Sequence, residues 1–202
     1  MKVVGLLLAA GKSRRYGSDK RLQRLPGGDT LITHCAKRLR NAVDDVLVIL
    51  GPGDEQLVDS LETLAVRRCI NPQADEGMGS SIRCGVNHTL DTDGWLIMPA
   101  DLPLLRLETV QRIVSALVPQ RAVVPICHGA RGHPVAFSRR FADELSSLSG
   151  AAGGRTILQR HHREVDWLNV HDPGIYRDMD TLRDQQSLWR LLSDQDIGAD
   201  GR

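Results

Sequence analysis

Val3 to Leu8 is an unbroken apolar run followed closely by Gly11. A strand with one wet face alternates polar and apolar residues. A strand that is apolar throughout is buried on both faces, as in a parallel sheet covered by helices. The run is too short to cross a bilayer, and it leads into charge without a leader-peptide cleavage pattern. Val46 to Leu50 and Trp95 to Met98 repeat the signal. Between such strands the apolar spacing turns helical. Leu31, Ile32, Cys35, Ala36 and Leu39 follow a candidate cap at Thr30, and Leu107, Val110, Ile113, Val114 and Leu117 form a second stripe. Helices are also expected over Asp54–Ala65, from a cap at Ser80 to about Leu90, and over Arg139–Leu148, Arg155–His161 and Thr181–Leu192. Strands are expected over Val66–Ile70, Ala122–Ile126, Pro134–Phe137 and Val165–Val170. The alternation predicts an α/β fold of the three-layer, Rossmann-like kind, a mostly parallel sheet with helices on both faces. Residues 1–192 read as one domain and 193–202 as a polar tail.

A formal net charge of +1 gives no field that would favour nucleic acid or a membrane as partner. Basic residues are dense only locally, at Lys12, Arg14, Arg15, Lys20, Arg21 and Arg24, which suits a small phosphorylated ligand. Cys35, Cys69, Cys84 and Cys127 contain no CxxC pair and no zinc-type His pair beside them. They read as reduced thiols, buried or partly so, and point to the cytoplasm.

Sheets of this kind bind ligands at the carboxyl ends of their strands. Three loops at that edge carry chemistry. The first follows Leu8 and is neither a P-loop nor a GxGxxG turn. Ala9, Ala10 and Gly11 let backbone N–H groups approach an anion, Ser13 can donate to it, Arg15 can fork onto phosphate oxygens, and Lys20 adds a compact charge. The alternative is a solvated basic loop. The second is Pro99-Ala100-Asp101-Leu102-Pro103, where flanking prolines stiffen the backbone around one carboxylate. Asp101 is a natural Mg²⁺ ligand beside phosphates, or else a cap for the helix near Arg106. The third runs from Asn71 through Gly77 and Gly79 to Ser80 and Ser81, which stand at a helix start, an anion or hydroxyl site.

LAAGKSRRYGSDK (Leu8 to Lys20) resembles LAAGxSxRxGxxK, the signature of the nucleotidyltransferase superfamily that includes molybdopterin cytidylyl- and guanylyltransferases and sugar-phosphate nucleotidyltransferases. Leu8, Ala9, Ala10, Gly11, Ser13, Arg15, Gly17 and Lys20 match, and Tyr16 replaces a methionine. Within the superfamily the chain is most similar to the molybdenum cofactor cytidylyltransferase family. The resemblance implies that the loop backbone reads the base and wraps the phosphates, that Arg15 and Lys20 neutralise the triphosphate, and that Asp101, in a PADxP loop, binds Mg²⁺. Asn71-Pro72 and EGMGSSIRCGV resemble a stretch that contacts base and ribose, a role carried onto Asn71, Ser80 and Ser81. Gly132-His133-Pro134-Val135 resembles a GHPV segment near the acceptor pocket. There His133 could donate to a pterin or its phosphate, or could be a partly exposed strand histidine.

Arg155 matches GDxGARxxL, but Ala151 stands where that pattern has its aspartate. Asp178-Met179-Asp180-Thr181-Leu182-Arg183-Asp184 resembles DIDTPED, with Leu182 in place of the proline, so that Asp178 or Asp180 could complete the metal site; Asp180 could instead cap a helix. The implied activity is transfer of CMP from CTP to molybdopterin with release of pyrophosphate, with a molybdoenzyme as a further candidate partner. Two rivals stand beside it. One is a transferase acting on a sugar phosphate or another phosphorylated metabolite. The other is a non-catalytic chaperone that binds NTP and cofactor for a molybdoenzyme.

Overall fold

The computed structural model describes residues 1–11, 18–151, 153–179, 181, 184, 188–189 and 191–192. Ser13, Arg15, Asp180, the 193–202 tail and most of the expected last helix lie outside them.

β1 (Val3–Leu8) sits inside a sheet with β2 (Asp45–Leu50), β3 (Arg67–Ile70), β4 (Gly94–Pro99), β5 (Ala122–Cys127), the two-residue β6 (Ala130–Arg131), β7 (Val135–Ser138) and β8 (Val165–Asn169). The order is β3-β2-β1-β4-β7-β5-β6, with β8 also paired to β5. β3, β2, β1 and β4 run parallel, as do β5 and β8. β7 runs antiparallel to β4 and β5, and the β5–β6 hairpin is antiparallel. This is a mostly parallel, Rossmann-like sheet.

Successive side chains of β1 point to opposite faces, and each face carries its own core. Val3 and Leu7 pack with Leu31, Leu39, Leu57, Val110 and Ile113, which belong to α1 (Leu31–Arg40), α2 (Glu55–Ser60) and α4 (Leu107–Ala116). Val4 and Leu6 pack with Ile82, Val86, Leu145 and Ile157, from α3 (Met78–Asn87), α5 (Ala142–Ser146) and α6 (Arg155–Arg160). Helices therefore cover both faces, which is why β1 needs no polar residue. Among the described residues, no helix is long and apolar enough to cross a membrane.

Thr30 caps α1 as expected, its Oγ1 accepting from the Thr33 N–H at 3.3 Å. Ser80 does not cap α3. The cap is Gly77, at φ +112°, and Ser80 lies inside the helix, its hydroxyl donating to the Gly77 carbonyl at 2.9 Å. A left-handed backbone admits glycine at little cost, so the helix starts there rather than at the better side-chain cap. α2 stops at Ser60, well before Ala65. Residues 139–148 divide into a 3-10 turn (Arg139–Phe141) and the short α5.

Candidate active site

The carboxyl ends of β1 and β4 are tied by the Ala100 N–H, which donates to the Leu8 carbonyl at 3.1 Å. This sets the start of the glycine loop beside the proline-flanked acidic loop. Lys20 opens a 3-10 turn (Lys20–Leu22) capped by Asp19. Its Nζ donates to Asp101 Oδ2 at 2.9 Å, with the two side chains 12% and 23% exposed. The cation and carboxylate singled out in sequence, 81 residues apart, thus share one crevice.

Asp101 is held from several sides. α1 supports its loop through His34 Nε2, which donates to the Pro103 carbonyl at 3.0 Å, and through Arg38, which donates to the Leu105 carbonyl. The Asp101 carbonyl accepts from the Met179 N–H at 3.0 Å, bringing the chain at Asp178 alongside; Asp178 itself is exposed. Asp101 does not cap α4. The Arg106 N–H at that helix start donates instead to Asp172 Oδ2 at 2.9 Å. Asp172 thus meets the N–H at the helix start, and Asp101 pairs with Lys20 instead. Among the described residues its Oδ1 accepts no hydrogen bond. A rigid carboxylate with an oxygen to spare suits a hard cation such as Mg²⁺ or Mn²⁺. Cys35 is buried near this carboxylate. Burial first, and then the charge of Asp101, pushes its thiol up to about 12, so it stays protonated and is no nucleophile.

Arg21 is a positioning residue that sequence reading did not separate from its basic neighbours. Its side chain turns inward, only 6% exposed. It donates to Asp54 Oδ1 and Oδ2 at 2.7 and 2.8 Å, to Asp19 Oδ1 and Oδ2 at 2.8 and 2.6 Å, and to the Ala9 carbonyl. Asp54 Oδ2 also accepts from the Gly51 N–H at 2.7 Å. One guanidinium therefore locks the start of the glycine loop to the β2–α2 loop.

The third loop is knitted into the interior. Asn71 and Ser80 are 2% and 0% exposed. Asn71 Nδ2 donates to Ser80 Oγ at 2.9 Å and to Ser81 Oγ at 3.2 Å, and Ser80 Oγ also lies 2.7 Å from the Gln73 carbonyl. The three sequence candidates come together, yet their polar atoms are largely spent on one another. Gly77 and Gly79 do allow close approach, but to the chain's own Gly150 backbone, where an added Cβ would stand 2.9 and 2.8 Å from the nearest atoms. Ala10 is 6% exposed and belongs to the core cluster with Leu6 and Ile49.

His133 and Arg155 line one cavity of about 760 Å³ over the sheet, walled by Met78 and Ile82 of α3, Phe137 of β7 and Leu158 of α6. Arg155 is exposed at its rim. His133 Nδ1 is buried with no hydrogen-bond partner among the described residues. Burial lowers the His133 pKa, against a smaller opposing pull from Asp101, so the ring is neutral at pH 7 and close enough to sense the crevice charge.

Known proteins resemble this chain in sequence and fold. The model of the MobA-like NTP transferase domain matches residues 5–165, from β1 to the start of β8. Relatives include nicotine blue oxidoreductase of Paenarthrobacter nicotinovorans, 27% identical over 94% of this chain and 96% of its own. Purine catabolism protein PucB of Bacillus subtilis is 28% identical over 95% and 98%. A probable molybdenum cofactor guanylyltransferase of Bacillus mycoides is 29% identical over 73% and 74%. Among solved structures, Rv0371c of Mycobacterium tuberculosis superposes with a TM-score of 0.82 at 26% identity, covering 94% of this chain and 97% of that one. A second crystal structure of Rv0371c, a complex with manganese, has a TM-score of 0.78 at 24% identity and covers 94% and 99%. β2, β3 and β4, the loop after β1 and the acidic loop after β4 all fall inside the matched stretch, and the chain belongs to the family of MobA-like NTP transferase domains.

Proposed function

We propose that the protein transfers CMP from CTP to molybdopterin, releasing pyrophosphate, with Mg²⁺ as its cation. The observation that carries this reading is the meeting of Lys20 Nζ and Asp101 Oδ2 at 2.9 Å in the crevice beside the glycine loop. Molybdenum cofactor chemistry is supported by the sequence resemblance and by the named activity of the Bacillus mycoides relative. A divalent cation is supported by the manganese complex of Rv0371c.

Transfer to phosphorus is mainly positioning and charge stabilisation. A phosphate oxygen of the acceptor forms a bond to the α-phosphorus of CTP while the bond from that phosphorus to the bridging oxygen of pyrophosphate breaks. The attacking phosphate, with a second pKa of roughly 6, is already mostly ionised at pH 7 and needs no general base. Asp101, with Asp178 or Asp180 as candidate second ligand, would hold the cation, which would supply charge neutralisation on the phosphate oxygens. Lys20 and Arg15 are the residues to meet the charge of the departing pyrophosphate. The backbone of Leu8, Ala9, Ala10 and Gly11, with Ser13, cradles the nucleotide. Asn71, Ser80 and Ser81 hold the wall against which base and ribose rest. The cavity of His133 and Arg155 takes the acceptor, Arg155 pairing with its phosphate and the neutral imidazole bonding the pterin.

The guanylyltransferase relative makes GTP the competing donor. Pyrophosphate release should be measured with each of the four NTPs, with molybdopterin or a panel of sugar phosphates, and with and without Mg²⁺. Release with CTP and molybdopterin, dependent on Mg²⁺, is the expected result. Release with GTP alone reassigns the donor, and release with a sugar phosphate reassigns the acceptor. Binding of CTP and molybdopterin without release would convert the reading to a chaperone. Redox turnover of nicotine blue by the protein would favour the activity named for the Paenarthrobacter relative.

A further inference from the structure

β3 is the edge strand, and Cys69 on it is packed against α3. Cys69 Sγ lies 3.7 Å from Cys84 Sγ, and Cys84 Sγ lies 3.9 Å from His88 Nδ1. The three donor atoms are all within 4.8 Å of one another. Cys84 and His88 stand four residues apart and so share one face of α3. A tetrahedral centre with metal–sulfur bonds of about 2.3 Å holds its two sulfurs about 3.8 Å apart. The two thiols are already at that spacing.

We propose that Cys69, Cys84 and His88 form a binding site for a borderline-soft divalent cation, Zn²⁺ in particular, with water in the fourth position. Thiolate and imidazole select such ions, whereas the oxygen donors around Asp101 suit Mg²⁺ or Mn²⁺, so the protein sorts two kinds of cation to two places. Metal binding displaces the thiol protons. His88 Nδ1 now lies 2.8 Å from the Cys84 carbonyl. Ligation takes that nitrogen's lone pair, so this bond is given up and the proton moves to Nε2. His88 is exposed and borders a cavity of about 330 Å³ with Lys2, Arg67 and Asp91, through which an ion can enter. A bound ion would staple β3 to α3 along the seam already closed by Asn71 and Ser80.

The test uses the full-length, reduced, metal-free protein titrated with Co²⁺ and then Zn²⁺. One equivalent of Co²⁺ should give a sulfur-to-cobalt charge-transfer band with tetrahedral d–d bands, and Zn²⁺ should erase both. Cys69→Ser and Cys84→Ser should lose the charge-transfer band. His88→Gln, a surface change that keeps the fold, should weaken Co²⁺ binding at least about tenfold. Asp101→Asn should leave the spectrum unchanged. No charge-transfer band in the intact protein would overturn the site, as would a band that survives in either serine variant or a His88→Gln affinity equal to that of the parent.

Discussion

The two sides of the candidate active site hold their polar groups in opposite ways. On the parallel side, around β1, β2 and β4, charge is matched with charge: Lys20 meets Asp101, and Arg21 is clamped between Asp19 and Asp54. The cavity over β4, β5 and β7 is walled largely by apolar side chains, its imidazole Nδ1 has no partner among the described residues, and Arg155 stands at its rim. A triphosphate with a cation brings charge that must be met by fixed charges. A larger acceptor with a flat, mostly uncharged ring system needs apolar walls and a few polar contacts. On the proposed function, the contrast assigns the nucleotide to the charge-paired edge of the sheet and the acceptor to the apolar cavity.

Arg21→Ala should have the largest effect, on stability. It leaves two carboxylates facing each other without their guanidinium, and breaking such a buried pair costs about 3–5 kcal/mol. Urea unfolding measures it; a loss below about 1 kcal/mol would place the cluster among screened surface pairs and blur the contrast. Lys20→Ala and Asp101→Asn should each lower kcat about a hundredfold, roughly 3 kcal/mol, with an unchanged circular dichroism spectrum. Near-parental rates in either would remove that residue from the chemistry. Arg155→Ala should raise the KM for the acceptor about tenfold, the worth of a charge-assisted hydrogen bond, and leave the KM for CTP alone. Equal rises in both constants would mean that the two sides are not separate.

The smallest expected effect is one of pH. Burial holds the His133 pKa below its unfolded value of about 6.5. The folded state therefore binds fewer protons than the unfolded one in that window. Stability from this group is complete above about pH 6.5 and is lost as pH falls toward the lowered value, at up to about 1.4 kcal/mol per pH unit. His133→Gln should flatten that part of the Tm against pH curve, and an unchanged slope would assign the acid sensitivity elsewhere.

The strands at β1, β2 and β4 were legible because burial on both faces leaves an uninterrupted apolar run. The Thr30 cap was legible because nothing overrides it. Ser80 misled because tertiary contact with Gly150 favoured a glycine start three residues earlier. The direction of β7 could not be read, since a period of two marks a strand and not its sense. Asp101 stood out through its prolines, whereas its companion Asp172, which relieves it of capping, lies 71 residues on with no local signal. Arg21 was hidden among five basic neighbours because composition does not say which of the six turns inward. Cys69 and Cys84 were passed over because their spacing matches no local motif, and only the packing of β3 on α3 joins them.

The central claim is that a nucleoside triphosphate and its cation lie between the glycine loop and Asp101. A crystal structure with CTP and Mn²⁺, read through the anomalous signal of manganese, tests it most directly. The account predicts a manganese peak bonded to Asp101 and the triphosphate beside Lys20. A triphosphate bound elsewhere, or a manganese peak with no contact to Asp101, would contradict it.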